Sequence, residues 1–416
     1  GSFILRSGSD DWDNMMCSDP MQQLLMSRHM NIETQAYQPT VLYLNGEYFG
    51  IHNAREKYNE DYFKNRFDVA KENLDLLFVD FRNFNIEPTA GNAQDFLDLL
   101  DYAESNDLSD ASAYSYVISK IDLENYLDYI VAQSYVGNVS WRHNIRVWRS
   151  SQNGNKWRWV LFDLDRGMLD RNNNTLASMI SNEPLLKRLV ANDEFKAQLG
   201  KRFLQHLNNA FQPADVISLI DSVTNLIAGE MPNHIERWSG QCANGACGIS
   251  SMSFWQGEIE RRRTFARERP DILLQQVSSA LGLDNLININ LKVQPLGSGR
   301  VTLDGDVQIS NQYNGIFIKG KSHVLTTQAN KAFQFEGWFY PSDSRQTLIL
   351  SGETWSYWDT KEIPGEDWTA LEFDDSFWDA GPAQLGYGDG DEATVIDYGG
   401  DGQNKNITYL FRHRFN

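Results

Sequence analysis

The chain has 416 residues, which is too long for one ordinary domain, so two or three domains are expected. A hydrophobic content of 41% with 12 tryptophans is sufficient for a sizeable core, and a net charge of -19 argues against a nucleic acid or an acidic membrane as a partner. The sequence contains no apolar run long enough to span a membrane and no signal peptide.

The three cysteines are too few for a disulfide framework. Cys242 and Cys247 bracket a turn-prone spacer, so a disulfide between them would close a small loop and would suit an exported protein. Cys17 is predicted to be a buried small hydrophobe, because no histidine lies near it in the sequence.

Residues 3–83 have a mixed α+β pattern. Residues 3–6 are predicted to form a short strand, and the Met and Leu spacing over residues 20–30 predicts an amphipathic helix. Residues 40–45 and 48–55 are predicted to form a hairpin over an Asn-Gly turn. Apolar residues occupy both faces of the first strand of this hairpin, which indicates a sheet that is covered on both sides.

Residues 84–137 are predicted to be helical. Apolar side chains form one stripe over residues 93–104, and Ser-Asp precedes a second helix over residues 111–121 as a capping sequence would. A third helix, over residues 123–135, leads into a polar loop.

Two strands, residues 143–150 and 156–164, follow this loop and are joined by a tight Asn-Gly turn. The second strand ends in Asp163 and Asp165, which we expect to point to one place because side chains two apart on a strand share a face. Asn144 brings a carboxamide towards the same end. Mg²⁺ takes carboxylates plus substrate phosphates, so these oxygens predict a Mg²⁺ site. A loop with an Asn, then a hairpin, then a metal-binding Asp is also the order in kinase active sites.

The remaining chain changes from helical to all-β. Residues 184–231 and 254–267 have helical apolar stripes. From residue 282 onwards, short runs alternate apolar and polar residues between Gly, Asn and Asp turns, which predicts β structure.

Four segments, in this order, resemble the CotH kinase family, a group of secreted or spore-coat proteins with an atypical protein-kinase-like fold. The segments are residues 3–12 (FILRSGSDDW) with Asp19 beyond them, residues 41–50 (VLYLNGEYFG) with Arg55-Glu56-Lys57, residues 138–167 with NVSW, VWR, KWRW and DLDRG, and residues 234–238 (HIERW) with the aromatic and basic positions up to Arg267. The resemblance covers residues 3–280.

The resemblance implies an α+β, two-lobed kinase-like domain followed by all-β modules. Residues 3–83 would be a small lobe, incomplete because the chain begins inside it, and residues 84–281 a helical lobe that carries the hairpin. Residues 282–345 would form a small β module. Residues 346–416 resemble the opening of a galactose-binding-like β-sandwich of bacterial extracellular proteins.

The family also implies a function. The chain would be a secreted or cell-surface protein kinase that uses ATP with Mg²⁺ or Mn²⁺ to phosphorylate Ser or Thr of a surface or coat protein. A glycan contact would belong to the C-terminal module, and neither a nucleic acid nor a transmembrane segment is expected.

Seven positions would form the site by this resemblance. The catalytic positions are Ser140, Asn144 and Asp163, the metal ligands are Asn144, Asp163 and Asp165, and the nucleotide-binding positions are Arg6, Glu56 and Lys57. An alternative for Glu56 and Lys57 is a solvated helix start. The sequence has no glycine-rich phosphate loop, so metal and basic side chains would hold the phosphates of a bound nucleotide.

Ser140 departs from the family, because a catalytic Asp is expected at this position. A serine does not accept a proton from a substrate hydroxyl as a carboxylate does. Positioning and metal electrostatics carry much of phosphoryl transfer, which leaves room for a weakened enzyme. The sequence therefore supports two hypotheses, a weakened kinase and a catalytically silent pseudokinase scaffold whose β modules attach it to a cell surface, a glycan or another protein.

Overall fold

The computed structural model describes residues 2–243, 246–304, 307–320, 322–340, 346–347, 349, 352–365, 367–388 and 390–414. The chain divides into two compact units. The first unit is Gly1–Leu291 with Tyr313–Ser322, and the second is Lys292–Gln312 with His323–Asn416. The four domains expected from the sequence, with their three boundaries, remain predictions.

The first unit contains eleven α-helices among its described residues and most of its strands are short. The helices α1 to α11 are Ser18–Ser27, Glu60–Phe67, Gln94–Ser105, Ala111–Lys120, Leu123–Val136, Thr175–Asn182, Pro184–Leu189, Asp193–Leu207, Pro213–Ala228, Met231–Trp238 and Met252–Leu281. The strands β1 to β10 are Phe3–Arg6, Tyr37–Leu44, Glu47–Glu56, Leu74–Asp80, Asn85–Ala90, Ile145–Ser150, Arg158–Val160, Cys242–Ala243, Ala246–Cys247 and Leu286–Lys292.

A three-stranded antiparallel sheet with the order β1-β3-β2 contains the predicted strand and hairpin. The hairpin turns at Asn45 and Gly46, whose φ angles of +53° and +85° suit a turn in which both central residues are left-handed. The prediction that both faces are covered is wrong, because Val41 and Tyr43 are exposed by 38% and 59%.

A four-stranded sheet with the order β5-β4-β6-β7 contains the second predicted hairpin. β4 pairs antiparallel with β6, so that Leu77 lies opposite Val147. The expectation of helices alone over residues 84–137 is wrong, because β5 begins at Asn85 and pairs with β4. The boundary expected between residues 83 and 84 lies in the connection of this hairpin.

Helices α3 to α5 confirm the remaining predictions for this stretch. Asp110 and Asp122 accept hydrogen bonds from backbone N–H groups in the first turns of α4 and α5, which satisfies donors that lack a partner within the helix. α5 is buried from Asn125 to its end, and Gly137 stops it with a φ of +63°. This helix delivers the chain to the polar loop that precedes β6.

Helix α11 is longer than the sequence predicted. It runs for 30 residues from the cap at Ser251 and continues through Pro270 to a left-handed Gly282. A proline inside a helix removes one backbone hydrogen bond, so the expectation of an end near residue 267 followed the local signal. Within the described residues, no helix is both long enough and apolar enough to serve as a membrane span.

The rest of the chain is β-rich, as expected. The strands β11 to β21 are Gly299–Leu303, Val307–Ile309, Gln312–Ile318, Leu325–Ala329, Phe339–Tyr340, Gln346–Thr347, Thr354–Trp358, Asp379–Pro382, Leu385–Gly386, Thr394–Val395 and Leu410–Arg412. β11 lies between β12 and β14, and β17 lies between β18 and β21. β13 instead pairs with β10. The predicted order, an α+β region followed by β structure, is confirmed.

The cysteines behave as the sequence suggested. Cys242 and Cys247 form a disulfide that joins β8 to β9, and Cys17 is free and buried. Burial raises the pKa of the Cys17 thiol well above its ordinary value, so this side chain is an apolar core residue and not a nucleophile.

Candidate functional site

The two carboxylates of the Asp-x-Asp motif lie beyond the end of β7. After Val160, the backbone N–H of Leu161 donates to the carbonyl of Glu33 (2.9 Å), and the chain leaves the four-stranded sheet. Asp163 then adopts a left-handed φ of +60°. The expectation that Asp163 and Asp165 share a strand face is therefore wrong. A turn brings the two carboxylates together instead, and both contact the same positively charged side chain.

Arg6, the last residue of β1, carries that side chain. Its Nη2 atom contacts Oδ1 of Asp163 and lies 3.5 Å from Oδ2 of Asp165, while its Nη1 atom lies 3.4 Å from Oδ2 of Asp19. Nδ2 of Asn144 donates to the second oxygen of Asp163 at 2.5 Å. The structure thus gathers four of the seven predicted positions around one another.

The cluster holds more negative than positive charge. Asp165 is 3% exposed and accepts a hydrogen bond from the backbone N–H of Asp10 (3.1 Å). Burial and then the neighbouring carboxylate of Asp163 raise the pKa of Asp165 to about 7, although Arg6 opposes this shift. At this pKa the carboxyl group of Asp165 is partly protonated at neutral pH, because burial and Asp163 together outweigh Arg6.

Sequence reasoning missed a fully buried ion pair next to these residues. Nη1 of Arg55 lies 2.5 Å from Oδ2 of Asp19, and the other oxygen of Asp19 accepts the backbone N–H of Leu164 (2.8 Å). Burial favours the protonated carboxyl, but Arg55 and Arg6 outweigh it and hold the pKa of Asp19 below its ordinary value. Asp19 therefore joins the small sheet to the Asp-x-Asp turn.

Gly167 shows why a glycine follows the motif. A Cβ atom at this position would lie 2.0 Å from Oε1 of Gln22. The amide of Gln22 donates to the carbonyl of Leu164 (2.9 Å), so a larger residue would push it off the turn. The glycine thus makes room for Gln22 and does not serve a left-handed backbone.

The polar loop between α5 and β6 holds Ser140 in place by local hydrogen bonds. Oδ1 of Asn138 accepts the backbone N–H of Ser140 (2.9 Å), and its amide donates to Gln133 (3.0 Å). The indole N–H of Trp141 donates to Ser178 (3.2 Å). Ser140 is 7% exposed, so the loop keeps its shape with a small hydroxyl at the position where a catalytic carboxylate is expected.

Glu56 and Lys57 are not part of this cluster. The carboxylate of Glu56 pairs with Arg66 (2.6 Å) and accepts the backbone N–H of Ala36 (2.8 Å), and Lys57 is exposed. Among the hydrogen bonds and ion pairs of the described residues, none joins Glu56 or Lys57 to Arg6. Their contact with a nucleotide remains a prediction.

The donor set fits a divalent cation that shares its ligands with a phosphate. Two carboxylates and one carboxamide are hard oxygen donors, and the guanidinium of Arg6 already lies where positive charge is stabilised. In the described ranges, no three His, Cys, Asp or Glu side chains are arranged to hold a metal by themselves. Mg²⁺ with one or two protein carboxylates, water and substrate phosphates meets both observations.

One small cavity lies beside the cluster, and one larger cavity lies away from it. A cavity of about 10 Å³ touches Arg6, Ser18, Asn53 and Arg55, and is large enough for one water. A cavity of about 620 Å³ lies instead beside the starts of α4 and α8, with Tyr114 in its wall. The larger cavity contains none of the predicted site residues. Cavity volume and side-chain chemistry therefore point to different places as the functional site, and we follow the side-chain chemistry.

A family model described as CotH kinase protein matches residues 1–273. Because this match covers more than half of the 416 residues, the chain belongs to the CotH kinase family, as its motifs predicted. No curated protein matches the sequence significantly.

Proposed function

We propose that the chain is a protein kinase of the CotH type, which transfers a phosphoryl group from ATP to a Ser or Thr hydroxyl of another protein with Mg²⁺ or Mn²⁺. The observation that carries this proposal is the convergence of Asp163 and Asp165 on the guanidinium of Arg6, with Asn144 donating to the other oxygen of Asp163. These side chains come from distant parts of the sequence. Their clustering at one place is expected for a functional site and is not needed on a surface without a function.

Each of these side chains has a role in this proposal. Asp163, Asn144 and Asp165 would hold the divalent cation, which would neutralise phosphate charge during transfer. Arg6 adds a fixed positive charge beside the phosphates, which replaces part of what a glycine-rich loop supplies in other kinases. Asp19 and Arg55 keep the turn that carries Asp163 and Asp165 against the small sheet.

Ser140 sets the expected rate. Its hydroxyl does not accept the substrate proton as a carboxylate would, and general-base catalysis contributes about 10²–10⁴-fold to such reactions. The chain is therefore expected to be a slow kinase whose catalysis comes from positioning and charge. The acceptor would be a surface or coat protein, and the chain a secreted or cell-surface protein.

The test is phosphoryl transfer with labelled ATP, Mg²⁺ or Mn²⁺ and a panel of Ser-rich acidic and basic proteins. We expect slow transfer by the unmodified chain, loss with Asp163→Ala, and a gain of at least about tenfold with Ser140→Asp. Transfer that persists at the same rate in Asp163→Ala would contradict the proposal.

A second candidate is a silent scaffold, which the hydroxyl at Ser140 favours. Here the kinase-like region would position the β modules of residues 282–416 for contact with a cell surface, a glycan or another protein. This candidate predicts no transfer by the unmodified chain, and attachment of the whole chain, but not of a chain ending at residue 322, to a surface polymer. Nucleotide-dependent heat stabilisation that disappears in Asp163→Ala would argue against it.

A further inference from the structure

The two guanidinium groups of the site are held in different ways. Arg55 is fully buried, and it donates to the backbone carbonyls of Ala36 (3.2 Å) and Gln35 (3.3 Å) in addition to Asp19. Backbone carbonyls fix its position independently of the carboxylate. Arg55 is therefore a permanent part of the fold.

Arg6 lacks such anchors within the described residues. Every hydrogen bond that its side chain donates there ends on a carboxylate, namely on Asp19, Asp163 or Asp165. Its side chain is 17% exposed, and its nearest aromatic ring, Phe162, lies 6.0 Å away. Arg6 is therefore held by the charges that the proposed metal ion also needs.

Arg6 and a divalent cation would compete for the same oxygens. Oδ1 of Asp163 faces Arg6 and its Oδ2 faces Asn144, and Oδ2 of Asp165 is shared by Arg6 and the backbone N–H of Asp10. The guanidinium of Arg6 occupies the position that a cation bound to both Asp163 and Asp165 would need. Two cations on one oxygen pair repel each other strongly in a partly buried site.

We infer that Arg6 is an exchangeable internal counter-ion. In the nucleotide-free chain it neutralises Asp163 and Asp165. When a divalent cation takes these carboxylates, the guanidinium moves to the phosphates of the nucleotide, for which its planar fork of donors is suited. Asp19 keeps Arg55 and the N–H of Leu164 throughout, so the exchange leaves no buried carboxylate without a partner. This inference rests on the proposed nucleotide and metal site.

The exchange couples the two ligands. A metal ion that binds alone must break the contacts of Arg6 and offers nothing in return. A triphosphate that arrives with the metal ion gives Arg6 a new partner. The metal ion and the nucleotide therefore strengthen each other's binding, by a mechanism built into one side chain.

The test is a titration with Mn²⁺ alone, followed by its electron paramagnetic resonance signal, for the unmodified chain and for Arg6→Gln. We expect Arg6→Gln to bind Mn²⁺ alone at least about tenfold more tightly and Mn²⁺ with a non-hydrolysable ATP analogue less tightly. If Arg6 only contacted phosphate, Arg6→Gln would weaken the binding of Mn²⁺ with the ATP analogue and would leave the binding of Mn²⁺ alone unchanged. This result would overturn the exchange.

Two controls separate the causes. Arg166→Gln removes the same charge one residue after Asp165, but Arg166 is half exposed and pairs only with Asp10 (3.5 Å) among the described residues, so we expect less than about a twofold change. Asp163→Asn should abolish Mn²⁺ binding.

If Mn²⁺ binds the unmodified chain and Arg6→Gln equally and Asp163→Asn not at all, the exchange fails and the proposed function stands. If none of the chains binds Mn²⁺, both fail. Arg6→Lys, which keeps a cation with fewer contacts, replaces Arg6→Gln if the latter does not fold, with an intermediate gain expected.

Discussion

At the scale of single residues, the site depends on positions whose importance is geometric. Asp163 contacts Arg6 and Asn144 from a left-handed backbone conformation. A left-handed conformation costs a non-glycine residue about 1–2 kcal/mol. The contacts of its carboxylate are what retain it, and backbone strain that is kept in this way is typical of functional turns.

Gly50 offers a clean test of close packing around the small sheet. It has a φ of +101°, and a Cβ atom there would lie 2.7 Å from both Nδ1 of His234 and Nε1 of Trp238. Gly46 has a φ of +85° with open space around it. We expect Gly46→Ala to lose about 1 kcal/mol of unfolding free energy in urea and Gly50→Ala about 3 kcal/mol. Equal losses would mean that only the backbone conformation matters.

How far the site was predictable also depends on single residues. Asn144, Asp163 and Asp165 were found from motif order, and the structure brings them together. The pairing of Asp19 with Arg55 was not found, because the two lie in different elements and nothing local marks a charge as buried. The strand geometry proposed for the carboxylates was wrong, because the end of β7 depends on a contact with a distant segment.

At the scale of elements, hairpins with an Asn-Gly turn and capped helices were predictable, since their signals are local. β4 and β5 were missed. The apolar run of β4, LDLLFVD, is as compatible with a buried helix segment as with a strand, and its pairing with β6 joins residues that are far apart in sequence. The passage of α11 through Pro270 was missed because tertiary contacts override the local signal.

Helix α11 is expected to stabilise the end of α5, next to the polar loop between α5 and β6, through Arg269. This buried side chain donates to the carbonyls of Ser134 and Tyr135 (2.9 Å) at the end of α5, just before the loop, and to the carbonyl of Arg171 (2.5 Å), which follows the Asp-x-Asp turn. We expect Arg269→Lys to lose about 2–4 kcal/mol of unfolding free energy, because it leaves buried carbonyls without donors. Arg267→Lys, on the half-exposed side of the same helix, should lose less than about 0.5 kcal/mol. A similar small loss in both would contradict this role.

Helix α10 is attached to β3 by a histidine that is neutral in the folded protein. Nδ1 of His234 accepts the backbone N–H of Ile51 (3.1 Å), and burial, then the nearby His52, lower the pKa of His234 to about 4. The unfolded chain binds a proton near pH 6.5 and the folded chain does not, so stability must fall as the pH decreases from 6.5 to 4.

The pH dependence is measured against His234→Asn, which keeps an acceptor but does not titrate. Between pH 7 and pH 4, we expect the unmodified chain to lose about 3 kcal/mol more unfolding free energy than the variant. Parallel stability curves for the two chains would show that His234 keeps an ordinary pKa.

At the scale of the whole molecule, the first unit is not a continuous piece of sequence. It includes Tyr313–Ser322, whose strand pairs with β10, and Asn208 exchanges two hydrogen bonds of 2.8 Å with the backbone of Ile316. A boundary placed at residue 282 from the change in sequence pattern would not include this segment. The pairing of β10 with β13 skips β11 and β12, and no local sequence pattern predicts such a contact.

This organisation predicts how truncation affects the first unit. A chain ending at residue 322 keeps β13 and the contacts of Asn208 with Ile316, whereas a chain ending at residue 291 loses both. We expect the shorter chain to unfold at a temperature about 2 °C or more below that of the longer one, as a loss of about 1–2 kcal/mol would produce. Identical melting temperatures would show that residues 313–322 do not stabilise the unit.

The most direct measurement is a crystal structure of the chain grown with Mn²⁺ and a non-hydrolysable ATP analogue, with anomalous scattering used to locate the metal. The account predicts a Mn²⁺ peak about 2.0–2.3 Å from a carboxylate oxygen of Asp163, with Asn144 or Asp165 next to it and with phosphate oxygens completing its ligands. A nucleotide bound elsewhere, or a crystal with ordered nucleotide and no metal at Asp163, would contradict it.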